Sequence, residues 1–520
     1  MVLFNRGLMF VRSIFSVLFI SLVLAPVSNP GAAKNSLWQE LAPGIAYREF
    51  YLEDPNHVYV ARMSRRQTGL AIESGIGQGK LSGGAETVRE QAARYDQAIN
   101  YWGKEWGARN QVIVAINGSY FETQTGIPWS GQVHSGWYAK RFEDRQRSSG
   151  FVWTLDQQAF VGECVVNSPG KQLLHLLRSE KSLPFDGINL ASIEDGLVIF
   201  TPQYDAATPT LTNGKTALEF LVELKQPLTI TPTPAMVIGT VKEVLEGEGA
   251  TLIPFDHIVL SARGKRIGDL KGKLAVGDEI GVSQELSHFK SDCRTPNPAS
   301  WSNAYASVAG SYIFLAEGVI QAEDDLGAVL RNPRTAIALN DDAVFFIVVD
   351  GRDRLRSLGM SMVELAIFAK TRLGADWGIA LDGGGSSTMV VNGQIKNNPN
   401  AELIESSQPI APGQPLPPSG PTKIERAVAN SLMMVVVQPK ELSKAFKSGD
   451  SVVIQDGGEV NMRLGPGTNY AIQTTLSPGS RGVVVEHPMN GVLAKGYYWW
   501  KINFAGITGW VNQDSLELQP

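Results

Sequence analysis

The sequence predicts an α+β chain: a mixed β-sheet domain containing a βαβ unit, followed by a small all-β barrel. Three observations predict it. The 520 residues include 53 glycines and 28 prolines, which break the chain into short runs between turns. A strand, a helix and a second strand follow one another between residues 343 and 394. From 451 to 518 the apolar runs are short and split by Gly and Pro. Apolar content of 43% and charged content of 19% are those of a globular chain, and the length suits two or three folded units. A net charge of −5, with no basic run interleaved with aromatics, excludes nucleic acid as the expected partner.

In chain order, residues 1–33 read as an export signal. Arg6 and Arg12 precede an uncharged apolar run from Ser13 to Ala25, and Gly31-Ala32-Ala33 has the small-x-small form of a cleavage site. The run is shorter than the roughly 20 residues a spanning helix needs, so the mature chain is expected not to span a membrane. Residues 34–438 form one glycine-punctuated stretch, with its core expected at 110–438. Gln111 to Ile116 is a β-branched run stopping at the Asn117-Gly118 turn signal. Phe220 to Glu285 reads as a β-rich insertion. Asn397 to Pro421 carries seven prolines and reads as a loop, after which Ala427 to Val437 resumes a buried strand. Residues 439–450 are polar and read as a linker to 451–518. Cys164 and Cys293 are either joined or two separate buried thiols. Six scattered histidines match no familiar zinc spacing.

The apolar run Ala343 to Val349 ends in Asp350 and suits a strand buried on both faces. Ser361 stands three residues before Glu364, a capping box, and the helical pattern from Met362 ends at Gly374. Trp377 to Leu381 is a second strand, ending in Asp382. Strand, helix, strand implies a parallel crossover, so Asp350 and Asp382 emerge at the same, ligand-binding end of the sheet.

The strongest chemical motif is LDGGGSSTMVVNG, Leu381 to Gly393. Gly383, Gly384 and Gly385 let backbone N–H groups approach a ligand, and Ser386, Ser387 and Thr388 add hydroxyls. Such a loop suits an anion such as phosphate. No Lys follows the glycines, so it is not a Walker A loop. In RNPRTAIAL, Arg334 stands before an apolar strand and is a candidate phosphate clamp. In VVDGRDR, Asp350 leaves a buried strand, which is costly for a charge unless it is paired or used; Arg352 or Arg354 is the nearest neutralising group. In AINGSYF, Asn117 is either a turn residue or a contact to a sugar hydroxyl.

The blocks NGSYF, NLASIEDGLVIFTPQY, RNPRTAIAL, VVDGRDRLRSLGMSMVELA, ALDGGGSSTMVVNG and ERAVANSLMMV resemble, in that order, those of the phosphodiester glycosidase family, whose best-known member is the lysosomal uncovering enzyme. The resemblance covers about residues 110–438. It implies hydrolysis of a sugar–phosphate bond at the anomeric carbon, with an envelope or extracellular glycan or sugar phosphate as substrate. Asp350 and Asp382 are then the catalytic carboxylates, their roles open. Asn117, Arg334 and the loop from Gly383 to Thr388 bind substrate and phosphate. The family admits a Ca²⁺ ion, but no EF-hand spacing is present and no metal ligand is assigned. A non-catalytic glycan- or wall-binding scaffold is the alternative.

Val460 to Gly467 (VNMRLGPG), Tyr498 to Ile502 and Gly506 to Val511 resemble bacterial SH3 domains. Tyr498, Trp499 and Trp510 are candidates for an aromatic wall-binding groove, with at least one ring expected in the core. The resemblance implies peptidoglycan as a partner and a secreted, periplasmic or cell-wall-associated location.

Overall fold

The structure is a computed structural model and describes residues 37–142, 149–167, 169–288, 293, 298–399 and 424–519. The expected export signal and most of the proline-rich segment lie outside the described residues. The chain is mostly β. No helix among the described residues is long and apolar enough to cross a membrane.

One eight-stranded sheet positions the candidate site. Its strands run in the order Gln39–Ala42, Ile45–Leu52, Asn56–Ser64, Ala343–Val349, Arg334–Leu339, Trp377–Ala380, Ile313–Ala316 and Val319–Ile320. The run Ala343–Val349 is apolar throughout because both of its faces are covered. Val344, Phe346 and Val348 point to one core, while Phe345, Ile347 and Val349 point to another on the opposite face. The first core is closed by a second sheet that includes Leu70–Ile76, Glu105–Asn117, Met389–Val391 and Asn430–Gln438. The other core is closed by the helix Met362–Leu373, which buries Leu365, Ala366, Phe368 and Ala369. That helix starts at the Ser361/Glu364 capping box and stops at Gly374, whose φ of +65° a side chain would resist.

The crossover differs from the expected βαβ unit. Arg334–Leu339 lies between Ala343–Val349 and Trp377–Ala380 and pairs antiparallel with both. The turn at Asn340–Asp342 is short enough to form that hairpin locally, so the helix must carry the chain over one strand to the next vacancy. The outer two strands still run in the same direction. Asp350 and Asp382 therefore leave the same end of the sheet, on either side of Arg334.

The β-rich insertion is wider than Phe220 to Glu285. Its eight-stranded sheet draws strands from Leu173–Leu176 through Glu279–Ser283. Nearby, Cys164 and Cys293 are joined as a disulfide with Cα atoms 5.8 Å apart.

The C-terminal barrel is built on Val452, Met462, Trp500, Ile502, Phe504 and Val511. Phe446, inside the expected linker, belongs to this core and meets Trp500 edge-on at 5.1 Å. The open groove expected of Tyr498, Trp499 and Trp510 is not formed. Trp499 and Trp510 are buried and pack with Ile99 and Phe255 of the larger domain, leaving Tyr498 half-buried. Large rings on a small barrel are its main apolar surface, and here the neighbouring domain covers them.

Polar groups also fasten this junction. Asp256 is 1% exposed and receives His257 Nδ1 at 2.6 Å and His487 Nε2 at 3.1 Å, with Lys501 Nζ at 3.7 Å. Burial alone would raise its pKa, but His257, His487 and Lys501 outweigh that and hold it well below the carboxylate range.

Candidate active site

The loop Asp382 to Thr388 is shaped from three sides. Asn117 is fully buried at the end of its strand; its Nδ2 donates to the Asp382 carbonyl at 2.7 Å. Its Oδ1 accepts from the Thr335 hydroxyl at 2.7 Å and from the Thr388 N–H at 3.1 Å. Fully buried and bonded at both ends of its amide, Asn117 braces the loop rather than contacting a sugar hydroxyl. Gly384 N–H donates to the Pro333 carbonyl at 2.9 Å, and a Cβ on Gly383 would sit 2.8 Å from that same oxygen. Gly384 has φ of +62°, and a Cβ there would meet Arg352 Nη2 at 3.2 Å. The glycines are needed for backbone approach at both positions.

Arginines gather at this loop. Arg426 Nη1 donates to Ser386 Oγ at 3.4 Å, and Arg352 Nη2 donates to Asn332 Oδ1 at 3.3 Å. The pKa of Arg352 is lowered first by desolvation and then by the charge of Arg426. Arg334 is used differently: Nε donates to the Met360 carbonyl at 2.7 Å, and Nη2 to the carbonyls of Gly327 and Leu330 at 2.8 and 2.6 Å. It ties down the loops beside the site, while Arg352 and Arg426 supply the charge over the glycines. Ser387 Oγ and Thr388 Oγ1 are buried without a hydrogen-bond partner. Two arginines therefore border one glycine turn.

The two carboxyls sit in different surroundings, each 9% exposed. Asp382 is pushed up to about 6 by burial, against a hydrogen bond with Ser386 and the pull of Arg426. Asp350 is also raised by burial but is wrapped by donors: the Tyr59 hydroxyl at 2.9 Å, Asn397 Nδ2 at 3.2 Å and Asn398 N–H at 3.0 Å. Behind it runs a chain of polar groups. Tyr59 meets His57 Nδ1 at 2.8 Å, and His57 Nε2 meets Glu49 Oε2 at 3.0 Å. Near Asp382, Tyr120 is raised by its own burial and by the Asp382 charge, and it stacks at 5.9 Å on Trp129, a ring 49% exposed.

Reading the sequence missed Arg426, Trp129 and the Glu49–His57–Tyr59 chain. Arg426 had the signal that singled out Arg334, a cation just ahead of a buried strand. Tyr59 had none, since 291 residues separate it from Asp350.

Among the described residues, no group of carboxylate, histidine and cysteine side chains offers a Ca²⁺ site of the familiar kind. The one cluster of metal-ligating groups among the described residues is Glu223, Asp256 and His487. It offers few oxygens where Ca²⁺ takes about six to eight, and Lys501 already supplies its positive charge at 3.5 and 3.7 Å.

The sheet end thus brings two carboxyls, Asp350 and Asp382, beside a glycine turn bordered by Arg352 and Arg426. The phosphodiester glycosidase family model matches residues 247–413, and the bacterial SH3 domain model matches residues 458–517. Asp350, Asp382, Arg334 and Arg352 fall within the first match. Among solved structures, a hypothetical protein from Synechocystis is 16% identical with a TM-score of 0.48, covering 78% of this chain and 64% of its own. This chain thus spans less than two thirds of that protein. A Burkholderia pseudomallei protein is 19% identical with a TM-score of 0.48, covering 73% of this chain and 74% of its own. The catalytic domain of zebrafish N-acetylglucosamine-1-phosphodiester alpha-N-acetylglucosaminidase, auto-inhibited by its pro-peptide, is 14% identical with a TM-score of 0.36, covering 77% and 87%. No curated protein matches the chain.

Proposed function

We propose that this protein is an exported glycosidase that hydrolyses a sugar–phosphate diester at the anomeric carbon, acting on envelope or extracellular glycans. The observation that carries the reading is the pair of carboxyls, Asp350 and Asp382, on either side of a glycine turn that faces Arg352 and Arg426. The arginines, Ser387 and Thr388 hold the phosphate and stabilise its charge as it leaves. Asp382, ionised above about pH 6, attacks the anomeric carbon or activates the water that does. Asp350, held by Tyr59, Asn397 and Asn398, is the second carboxyl of the pair that the reaction needs. Trp129 provides the exposed ring on which the sugar rests.

The test is hydrolysis of an N-acetylglucosamine 1-phosphodiester by the purified mature chain. Release of free sugar by the wild type, lost in folded Asp382→Asn and Arg352→Ala variants, supports the reading. A wild-type chain that binds wall glycans but turns over no sugar phosphodiester would make it a scaffold instead.

A further inference from the structure

The chain that leaves the glycine loop turns back on it. Met389–Val391 and Gln394–Ile395 form a hairpin in which Val391 pairs with Gln394 and Val390 with Ile395. Asn392 and Gly393 make its turn with φ of +48° and +74°, a pair of positive values that Asn-Gly accepts in a two-residue hairpin loop. The Lys396 N–H donates to the Met389 carbonyl at 2.9 Å and continues that register. Asn397 therefore comes back beside Thr388, at the end of the loop. A slip of the register by one residue would turn its side chain to the other face.

Asn397 is 1% exposed, and its amide is used at both ends. Nδ2 donates to the Ser387 carbonyl at 2.8 Å and to Asp350 Oδ1 at 3.2 Å, while Oδ1 accepts from the Met389 N–H at 2.8 Å. The two backbone partners fix which end of the amide is nitrogen. The flipped form would set oxygen against the Ser387 carbonyl and N–H against N–H. Nδ2 has two protons, one for each of its acceptors. One planar group thus spans the loop and the carboxyl. The Asp350 main chain is held without it: its N–H donates to the His57 carbonyl at 3.1 Å, and its carbonyl accepts from the Ser357 hydroxyl at 2.5 Å. Tyr59 and Asn398 bond the carboxyl; Asn397 bonds the carboxyl and the loop together.

On the reading of Asp350 and Asp382 as the reacting pair, we propose that Asn397 is a positioning residue of this site, which holds the Asp350 carboxyl and the loop from Gly383 to Thr388 in one geometry. Asn397 acts through Asp350 and not on the substrate. Without its donor the carboxyl loses its tie to the loop, and its ionised form loses support. The alignment needed for reaction is lost while the substrate still binds.

Asn397→Ala and Asn397→Asp in the full mature chain, with an N-acetylglucosamine 1-phosphodiester as substrate, test this role. Asn397→Ala removes both donated bonds and should lower kcat by about tenfold to a hundredfold, with KM changed by less than about threefold. Asn397→Asp keeps the shape and the acceptor for the Met389 N–H, but sets an oxygen against Asp350. Two carboxyls in such contact do not both ionise readily, so a proton stays between them at low pH and is lost as pH rises. The kcat of Asn397→Asp relative to wild type should therefore fall by about tenfold or more from about pH 5 to about pH 8. Lost packing alone would not give that trend. If Asn397→Ala fails to fold, Asn397→Asp carries the test. The Asp350 carboxyl, followed by carbon-13 NMR and assigned with Asp350→Asn, should titrate about one pH unit or more higher in Asn397→Asp than in wild type. An active wild type beside variants of unchanged kcat, a rise in KM alone, or an Asp350 midpoint that stays in place would each overturn the proposal and leave the glycosidase reading standing. A wild type that turns over no sugar phosphodiester would overturn that reading instead, and the Asp350 midpoint would then decide whether Asn397 holds the carboxyl.

Discussion

The Tyr59 hydroxyl lies 2.9 Å from Asp350 Oδ2, and on its other side it meets His57 Nδ1. That hydroxyl has one proton and donates it to Asp350, so His57 Nδ1 carries a proton and donates to the Tyr59 oxygen. Burial raises the Asp350 pKa, with the Asn398, Tyr59 and Asn397 donors opposing the rise. The chain Glu49–His57–Tyr59 therefore ties the protonation of Asp350 to that of a second acid–base pair.

Tyr59→Phe removes the link and keeps the ring. It should lower kcat by on the order of 10²-fold while costing only about 1 kcal/mol of stability. The pH–rate profile should move with it, because Asp350 loses one of its donors. Steady-state kinetics across pH, alongside thermal melting, separate this from a purely structural role, which would lower the melting temperature and leave the pH profile in place.

Asp382 gives two effects of opposite kind. Its pKa in the folded chain is raised to about 6, above the ordinary 3.8, so between those values the native state binds more protons than the unfolded state. Stability then falls as pH rises through that window and stays lower above it. Asp382→Asn should thus stabilise the protein at pH 7 by on the order of 2 kcal/mol while abolishing turnover. Denaturant melts at pH 4 and pH 7 check the sign: the gain should be present at pH 7 and nearly absent at pH 4.

The arginines divide by role. Arg352→Ala and Arg426→Ala should each lower kcat/KM for a sugar phosphodiester by ~10²-fold with little change in melting. Arg334→Lys should do the reverse, because a lysine cannot reach the carbonyls of Gly327, Leu330 and Met360 together. Its cost of about 1–3 kcal/mol would appear in thermal unfolding.

At the domain junction, Lys501→Met removes a cation beside Asp256 and Glu223 and leaves buried negative charge behind. The barrel should loosen from the larger domain at a cost of about 3 kcal/mol, seen as an earlier unfolding step by calorimetry. An unchanged melting profile would show that His257 and His487 suffice to hold Asp256.

The helix from Met362 to Leu373, the buried run at Ala343 and the glycine loop were legible because each rests on local chemistry: a capping box, an unbroken apolar stretch, three glycines after an aspartate. The strand interposed between Ala343–Val349 and Trp377–Ala380 was not, since hairpin pairing with Arg334–Leu339 competes with the crossover and no local signal ranks the two. Tyr59 and His57 were out of reach because their strands join the sheet from residues 45 to 64, far along the chain from Asp350. Trp499 and Trp510 were read as an exposed groove because a small barrel's outer rings resemble a binding face until a neighbour covers them. Arg334 and Asn117 were expected to bind substrate and phosphate, but spacing alone does not tell a ligand contact from a residue that spends its donors on backbone carbonyls.

The most direct measurement is the release of free sugar from an N-acetylglucosamine 1-phosphodiester by the mature chain, followed from pH 4 to 9 beside Asp382→Asn. The account predicts wild-type turnover that rises through about pH 6, and none above background in the variant. Turnover retained by Asp382→Asn, or a wild-type rate that falls rather than rises across that pH, would contradict it.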